Sequence, residues 1–427
     1  MLPPPVPALT TTLTGPLLAL EKLFLDHHTH IEQWFRQQFQ QTPAPFYASV
    51  DIRNAGFKIA PVDTNLFPAG FNNLNPAFMP LLIQAASVAL SGRLPCCQRL
   101  LVIPENHTRN PFYWQSLAVL CDVLLHAGYE IKVGSWLALN KTLTTPSGTE
   151  ICVEHITRQH TQLILGDFKP CAILLNNDLS EEIPEILKSL SQPIIPPLAL
   201  GWHHRLKSHH FKLYEAVTQR FATQLNMDPW LITPYFQACN HINFMTGESE
   251  DLLAHEVDAL LQKIEKKYQE YQIKQKPFVI IKSDSGTYGM GIMTALNAKD
   301  VLDLNRKQRT KMASSKSGKK VDHVIIQEGV YTQETWGTEQ AVAEPVVYMI
   351  GAHVVGGFYR IHKERGINEN LNAPGMQFEP LAFATACNHP DATLTHTECP
   401  NRFYAYGVIA RLALLAASQE LAEGEEK

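Results

Sequence analysis

The sequence predicts an α/β protein in two parts. A parallel, Rossmann-like sheet domain comes first, followed by an α+β domain built around a strand, a glycine loop and a second strand. Three observations carry this. Short apolar strands alternate with helix-period segments between residues 99 and 178. A strongly amphipathic segment over 249–273 is stopped by Pro277. From residue 278 onward, apolar strands are joined by glycine-rich and polar turns.

In chain order, residues 1–16 are rich in Pro and Thr and read as a loose arm. Leu17 to about Phe39 reads as one helix, with Leu18, Leu25, Ile31, Trp34 and Phe35 on its apolar face. His27, His28 and His30 fall in this helix without a partnering carboxylate set, so they read as solvated or capping residues. Arg99–Pro104 reads as a buried strand, and Pro111 suits the first position of a helix carrying Leu117, Leu120, Cys121 and Leu124. Gly128 ends that helix, Tyr129–Val133 forms the next strand, and Ala172–Leu175 another, before a further helix. A parallel sheet covered on both faces follows from this alternation. Open sheets of that kind bind ligands beyond the carboxyl ends of their strands, which points to Glu105–Arg109 and Asn176–Asp178.

The Pro-rich crossing 193–202 and the basic stretch His203–Lys212 mark a boundary. The expected units are an arm and helix (1–45), an α/β substrate domain (46–205), and a second domain (206–427) with a glycine-rich lid subdomain at about 276–330. Leu253, Val257, Leu260, Leu261, Ile264, Tyr268 and Tyr271 form the apolar face of the 249–273 helix.

A chain of 427 residues exceeds one small core. Its net charge of −5 gives no global attraction to nucleic acid or an anionic membrane. No apolar run approaches the roughly 18–20 residues that span a bilayer. The first residues lack the basic region of a signal peptide. Eight cysteines are scattered without a CxxC pair, and the adjacent Cys96 and Cys97 would close a strained ring, so a reducing, cytoplasmic setting is expected.

The chemistry concentrates after Pro277. Phe278–Lys282 reads as a strand, and SDSGTYGMGI follows, with Gly286, Gly289 and Gly291 among small polar residues that include Ser285. Without Cβ atoms, such a loop brings backbone N–H groups close to phosphate oxygens, and a lysine at the strand exit adds a point charge. No GK[ST] follows, so this is not a Walker A loop. Gly291 leads into another strand, which argues against a Rossmann dinucleotide site. A helix capped by Asn297 comes next, then seven basic residues between Arg306 and Lys320, read either as a solvated surface or as a mobile lid that attracts anions. The strand Val324–Gln327 delivers Glu328, Gly329 and Val330, where a peptide edge and a carboxylate suit a base and ribose. Residues 344–362 read as two strands around a turn at Gly351, with Arg360 leaving the second. The run INENLNAPG is either a polar turn or an oxygen-rich Mg²⁺ site.

These parts, in this order over about residues 275–380, resemble the ATP-grasp superfamily. More of the chain resembles one branch of it, the proteobacterial glutamate–cysteine ligases. The segments DIRNAGFKIAPVDTNLFPAGFNNLNP (51–76), GWHHRLKSHHF (201–211), IKSDSGTYGMG (281–291) and NENLNAPGMQFEP (368–380) carry that likeness. It implies a pre-ATP-grasp sheet domain followed by an ATP-grasp-like domain. The implied reaction joins the γ-carboxylate of glutamate to cysteine through an acyl phosphate, with ATP and Mg²⁺ as cofactors. Lys282 and Arg360 are the expected phosphate-binding, catalytic residues. Ser285, Gly286, Gly289, Gly291, Gln327, Glu328, Val330 and Asn370 are expected to contact nucleotide. The usual late carboxylate-x-Asn metal motif is missing, which leaves Glu344, Glu369, Asn370 and Asn372 as candidate metal ligands. Arg53, Asp63, Asn65 and Asn72, within a polar cluster that also holds Lys58 and Asn73, are candidates for the amino-acid substrates or else turn formers. Another amino-acid ligase, or a nucleotide-binding protein without turnover, stands as the alternative.

Overall fold

Successive residues of the strand Arg99–Pro104 feed two different cores. Leu100 and Val102 pack beneath the helices Met79–Arg93 and Pro111–His126, whereas Leu101 and Ile103 join the core that holds the C-terminal helix Arg402–Glu425. A strand buried on both faces has no polar side to keep, which is why its sequence is continuously apolar. The computed structural model of the protein describes residues 9–10, 15–106, 110–137, 141–246, 249–286, 291–313, 321–380 and 402–425. The parallel sheet runs Ile194–Ile195, Ala172–Asn176, Arg99–Pro104, Glu130–Ser135, Glu150–His155, with Lys141–Thr144 added antiparallel at one edge.

Two expected helices change. The segment 17–39 is two helices, Gly15–Asp26 and His28–Gln41, broken at His27. The rings of His27 and His28 bond the carbonyls of Leu23 and Leu25 at 2.9 and 3.0 Å, closing groups that a helix end leaves open. After Asp178 only a 3₁₀ turn forms, Glu185–Leu187, because Pro184 removes a helical donor and crowds the turn before it. The strand ends there are stitched together instead: Asp178 N–H donates to Glu105 Oε1 at 2.9 Å and Asn177 Nδ2 to the Pro104 carbonyl at 3.0 Å.

A seven-stranded antiparallel sheet forms the second layer. Ala341–Ile350 and His353–His362 pair around Gly351, which sits at φ +53°. Ala341–Ile350 pairs on its other side with Tyr47–Asn54, which pairs in turn with Ile59–Asn65. These pairings carry residues 47–65 into a sheet with residues 341–362, across the expected boundary at 205. Local pattern cannot reveal such a partner, because the strands lie nearly 300 positions apart.

A four-stranded antiparallel sheet, Phe236–Asn240, His323–Glu328, Val279–Ser283 and Met293–Ala295, makes the third layer. The helix Glu250–Glu270 covers one of its faces with Leu253, Val257, Leu260, Leu261, Ile264 and Tyr268, as its periodicity predicts. Half of the basic segment is a helix, Arg306–Ala313, whose Arg309 pairs with Glu250 at 2.9 Å, so that arginine is structural. Lys316, Lys319 and Lys320 lie outside the described residues, as does Gly289. Residues 402–425, expected only as part of the second domain with no element assigned, form a helix. From Phe403 to Ala417 nearly every side chain is buried, the behaviour of a helix apolar all round that runs through a core.

Candidate active site

Along one face of the seven-stranded sheet, apolar residues give way to charges. Asp51 lies opposite Val346, and Glu344 opposite Arg360, so these side chains share a face with Tyr47, Tyr348 and Phe358. The alternate residues Val50, Ile52, Val347 and Met349 turn to the core around the C-terminal helix. Where the apolar face ends, Arg360 Nη1 donates to Asp51 Oδ2 at 2.7 Å and to Glu344 Oε1 at 2.6 Å, while Arg53 Nε donates to Glu344 Oε2 at 2.9 Å. Asp63 stands opposite Asp51 on the next strand. Two neighbouring carboxylates repel, and the surrounding cations make the pairing tolerable.

The small sheet supplies the facing wall. Lys282 and Gln327 sit on the face turned away from the Glu250–Glu270 helix, since Ile281 and Ile326 occupy the other. Lys282 Nζ crosses to the carbonyl of Val62 at 2.7 Å, next to Asp63. Below it, Asp284 caps the helix Lys207–Leu225, accepting from Ser208 N–H at 2.7 Å and from Ser208 Oγ at 2.6 Å. An acidic group at a helix N-terminus is favoured there, so the glycine loop is anchored by a charge that the sequence reading missed. Lys207 Nζ donates to the Gly286 carbonyl at 2.7 Å and lies 3.9 Å from Asp63. Gly286 has φ +88°, a conformation that favours glycine.

Burial sets the charge states. It lowers the Lys207 ammonium to about 8, against the pull of Asp63 and aided by the nearby Lys282. Lys282 is also lowered, by burial first, with Asp63 and Asp51 opposing. Burial works to raise the Asp63 carboxyl, yet Lys207 and then Lys282 hold it below the usual range. A seam with cations on both walls and partly exposed carboxylates between them can take a polyanion together with an amino acid.

The GshA glutamate-cysteine ligase family profile matches residues 21–421. The chain belongs to the glutamate–cysteine ligase family. This ligase is 57% identical to a protein from Methylobacillus flagellatus KT named as a gamma-glutamylcysteine synthetase. That crystal structure superposes with a TM-score of 0.90 over 99% of this chain and 100% of the other. No curated protein sequence matches it. The family makes the chain an enzyme that joins glutamate to cysteine at the expense of ATP.

Several residues singled out from the ligase's sequence are occupied by its own structure. Arg53 donates to Glu344, to the Val330 carbonyl at 3.3 Å and to the Glu369 carbonyl, so it is a strut between segments and not an open clamp for an α-carboxylate. Glu328 turns to the opposite face, where Lys58 Nζ, Trp230 Nε1 and the Tyr235 N–H surround its carboxylate. It offers a ribose nothing, because a buried carboxylate keeps the partners that offset its desolvation. Asn65 and Asn72 are used locally, Asn65 accepting from Phe67 N–H at 2.9 Å and Asn72 donating to Asn73 at 3.0 Å.

Nucleotide fits better than metal. Arg360 Nε and Gln327 Nε2 are buried donors without an acceptor among the described residues, a state that an anionic or purine ligand relieves. The candidate metal ligands do not assemble. Both oxygens of Glu344 face arginines, Glu369 accepts from Arg365 at 3.0 Å and Gly366 N–H at 2.6 Å, and Asn370 Oδ1 accepts from Asn372 N–H at 3.0 Å. Among the described residues no group of three or more His, Cys, Asp or Glu is arranged to hold a metal. Glu369, Asn370 and Asn372 instead line a cleft of about 760 Å³ that faces Met293, Lys311 and Met312 of the small-sheet unit.

Proposed function

We propose that this ligase works as an ATP-grasp-type enzyme, with nucleotide held between the four-stranded and seven-stranded sheets. In that reading the parallel-sheet unit between strands 47–65 and residue 205 is the substrate domain, those two strands join the unit from 206 onward that grasps ATP, and the segment at about 276–330 is its lid. The observation that carries the proposal is the Lys282 side chain, which leaves the small sheet and ends against the strand of Asp63, on the seam that Arg360 lines from the opposite wall.

Glutamate's γ-carboxylate is a poor electrophile, so phosphoryl transfer from ATP must activate it first. Catalysis of that step is mainly positioning and charge neutralisation. Lys282 and Lys207 neutralise the phosphates, and the free edge of the Arg360 guanidinium receives the developing charge. Backbone at Ser285, Gly286 and Gly291 covers the transferred group, with Gln327 donating to the base and Asn370 at the rim. Closure keeps water from the acyl phosphate until the cysteine amine attacks. Asp63, whose carboxyl Lys207 and Lys282 hold below the usual range against burial, offers the α-ammonium of glutamate a negative site. Mg²⁺ arriving on the ATP phosphates would supply further neutralisation, although no group of three or more His, Cys, Asp or Glu among the described residues is arranged to hold it. A cytoplasmic setting is part of the same reading.

Phosphate release from MgATP should require glutamate and rise strongly with cysteine in a panel of amino acids. Release that is equal with and without both amino acids overturns the ligase reading. Faster release with another pair redirects the substrate assignment.

A further inference from the structure

The amino ends of two neighbouring parallel strands, Arg99–Pro104 and Ala172–Asn176, bring two cysteines together. Ala172 pairs with Leu100, so Cys171 lies beside Arg99, and its N–H donates to the Arg99 carbonyl at 2.9 Å. The same carbonyl is 3.5 Å from Cys97 Sγ, while Cys171 Sγ accepts from the backbone N–H groups of Gln98 at 3.2 Å and Arg99 at 3.3 Å. Gln98 N is bonded directly to the Cys97 carbonyl carbon, so Cys171 Sγ touches the residue that adjoins Cys97. Both thiols are free and partly exposed, and neither belongs to the catalytic seam.

From this geometry we infer that Cys97 and Cys171 form a thiol–disulfide exchange site, with Cys171 as the attacking sulfur and Cys97 as the resolving one. Two backbone N–H donors aimed at one sulfur favour its thiolate, the form that attacks disulfides. The electrostatics agree. Burial alone raises the Cys171 thiol, but the N–H donors from Arg99 and Gln98 and the contact with Cys97 bring it below its ordinary value. Burial, then the neighbouring Cys171, push Cys97 up to about 12, so Cys97 stays protonated beside it.

A small disulfide such as cystine, the oxidised form of the enzyme's own thiol substrate, is the matching oxidant. Cys171 thiolate attacks one sulfur of cystine, the S–S bond breaks, and one cysteine leaves as thiolate and takes up a proton. Cys97, losing its proton to solvent, then attacks Cys171 Sγ, and the second cysteine leaves. Two protein thiols are oxidised and one cystine is reduced to two cysteines.

The test uses the full chain with Cys96→Ser, because trypsin leaves Cys96 and Cys97 in one peptide between Arg93 and Arg99. Reduced protein is exposed to cystine in excess, quenched with an alkylating agent, digested and analysed by mass spectrometry. The expected product is a Cys97–Cys171 linked peptide pair, formed at least several-fold faster than modification of Cys121, Cys152 or Cys239. Adding Cys97→Ser should arrest the reaction as a cysteine adduct on Cys171, and adding Cys171→Ser should abolish the crosslink. The inference is overturned if Cys171 remains fully alkylatable, or if the Cys97→Ser protein carries its adduct elsewhere. Ligase turnover is not read in this test, so its outcome is independent of the proposed mechanism.

Discussion

Glu344 and Arg360 face each other in register on adjacent strands, and the Glu344 carboxylate bridges Arg360 Nη1 at 2.6 Å and Arg53 Nε at 2.9 Å. One buried anion therefore holds two guanidiniums, one of which keeps a buried donor, Arg360 Nε, without an acceptor among the described residues. This makes Glu344 an organiser of the arginines, although its sequence position suggested a metal ligand.

Glu344→Gln leaves two buried cations with half their compensation. Losing one partner of a buried pair costs about 3–5 kcal/mol. Urea denaturation should show a loss of that order, and activity should fall. Raising Mg²⁺ should not restore activity. Recovery at high Mg²⁺ with unchanged stability returns Glu344 to the metal.

Lys282→Ala should reduce turnover by on the order of 10²–10³, the scale of removing one charge from a developing phosphoryl anion. The sequence alone suggests that folding is indifferent to this change. Burial of the side chain and its bond to the Val62 carbonyl change that, adding about 1–3 kcal/mol of destabilisation. A folded variant retaining more than about a tenth of the activity removes Lys282 from the phosphate site.

Glu420, on the C-terminal helix, receives Arg205 Nε at 2.7 Å and Nη2 at 3.0 Å, while Arg205 Nη1 donates to the Thr64 carbonyl at 2.6 Å. Burial works to raise the Glu420 carboxyl, but the Arg205 charge holds it far below the usual range. A carboxyl depressed in the folded state stabilises fully above its unfolded value, about 4.3, and loses that contribution as pH falls further. The wild type should therefore lose stability progressively below about pH 4.3. Glu420→Gln should be destabilised by about 3–5 kcal/mol at pH 7 and show a shallower acid dependence. Parallel acid profiles in the two proteins exclude this pair as a source of acid sensitivity.

Local signals in the ligase's sequence were reliable where one element satisfies its own physics. The strand Arg99–Pro104, the helix starting at Pro111 and the buried face of Glu250–Glu270 follow from runs and periods. Lys282, Asp63 and Arg360 stand out as charges embedded in apolar strands. Asp51, Asp284, Lys207, Arg205 and Glu420 escaped notice as site-forming groups, because their meaning comes from partners between 76 and 309 positions away. The apolar run in 402–417 was a legible signal for a buried helix, and only its place in the core needed the fold.

The sequence by itself determined the α/β class, the glycine loop behind Lys282 and the family likeness, since each depends on residue type and short spacing. Tertiary structure alone decided which charges remain open. Pairing strand 47–54 with 341–350 gathers Asp51, Arg53, Glu344 and Arg360 on one face, and buried charges are stable only with partners. That pairing commits Arg53 and Glu344 to each other, and it leaves Arg360 Nε without a protein acceptor among the described residues.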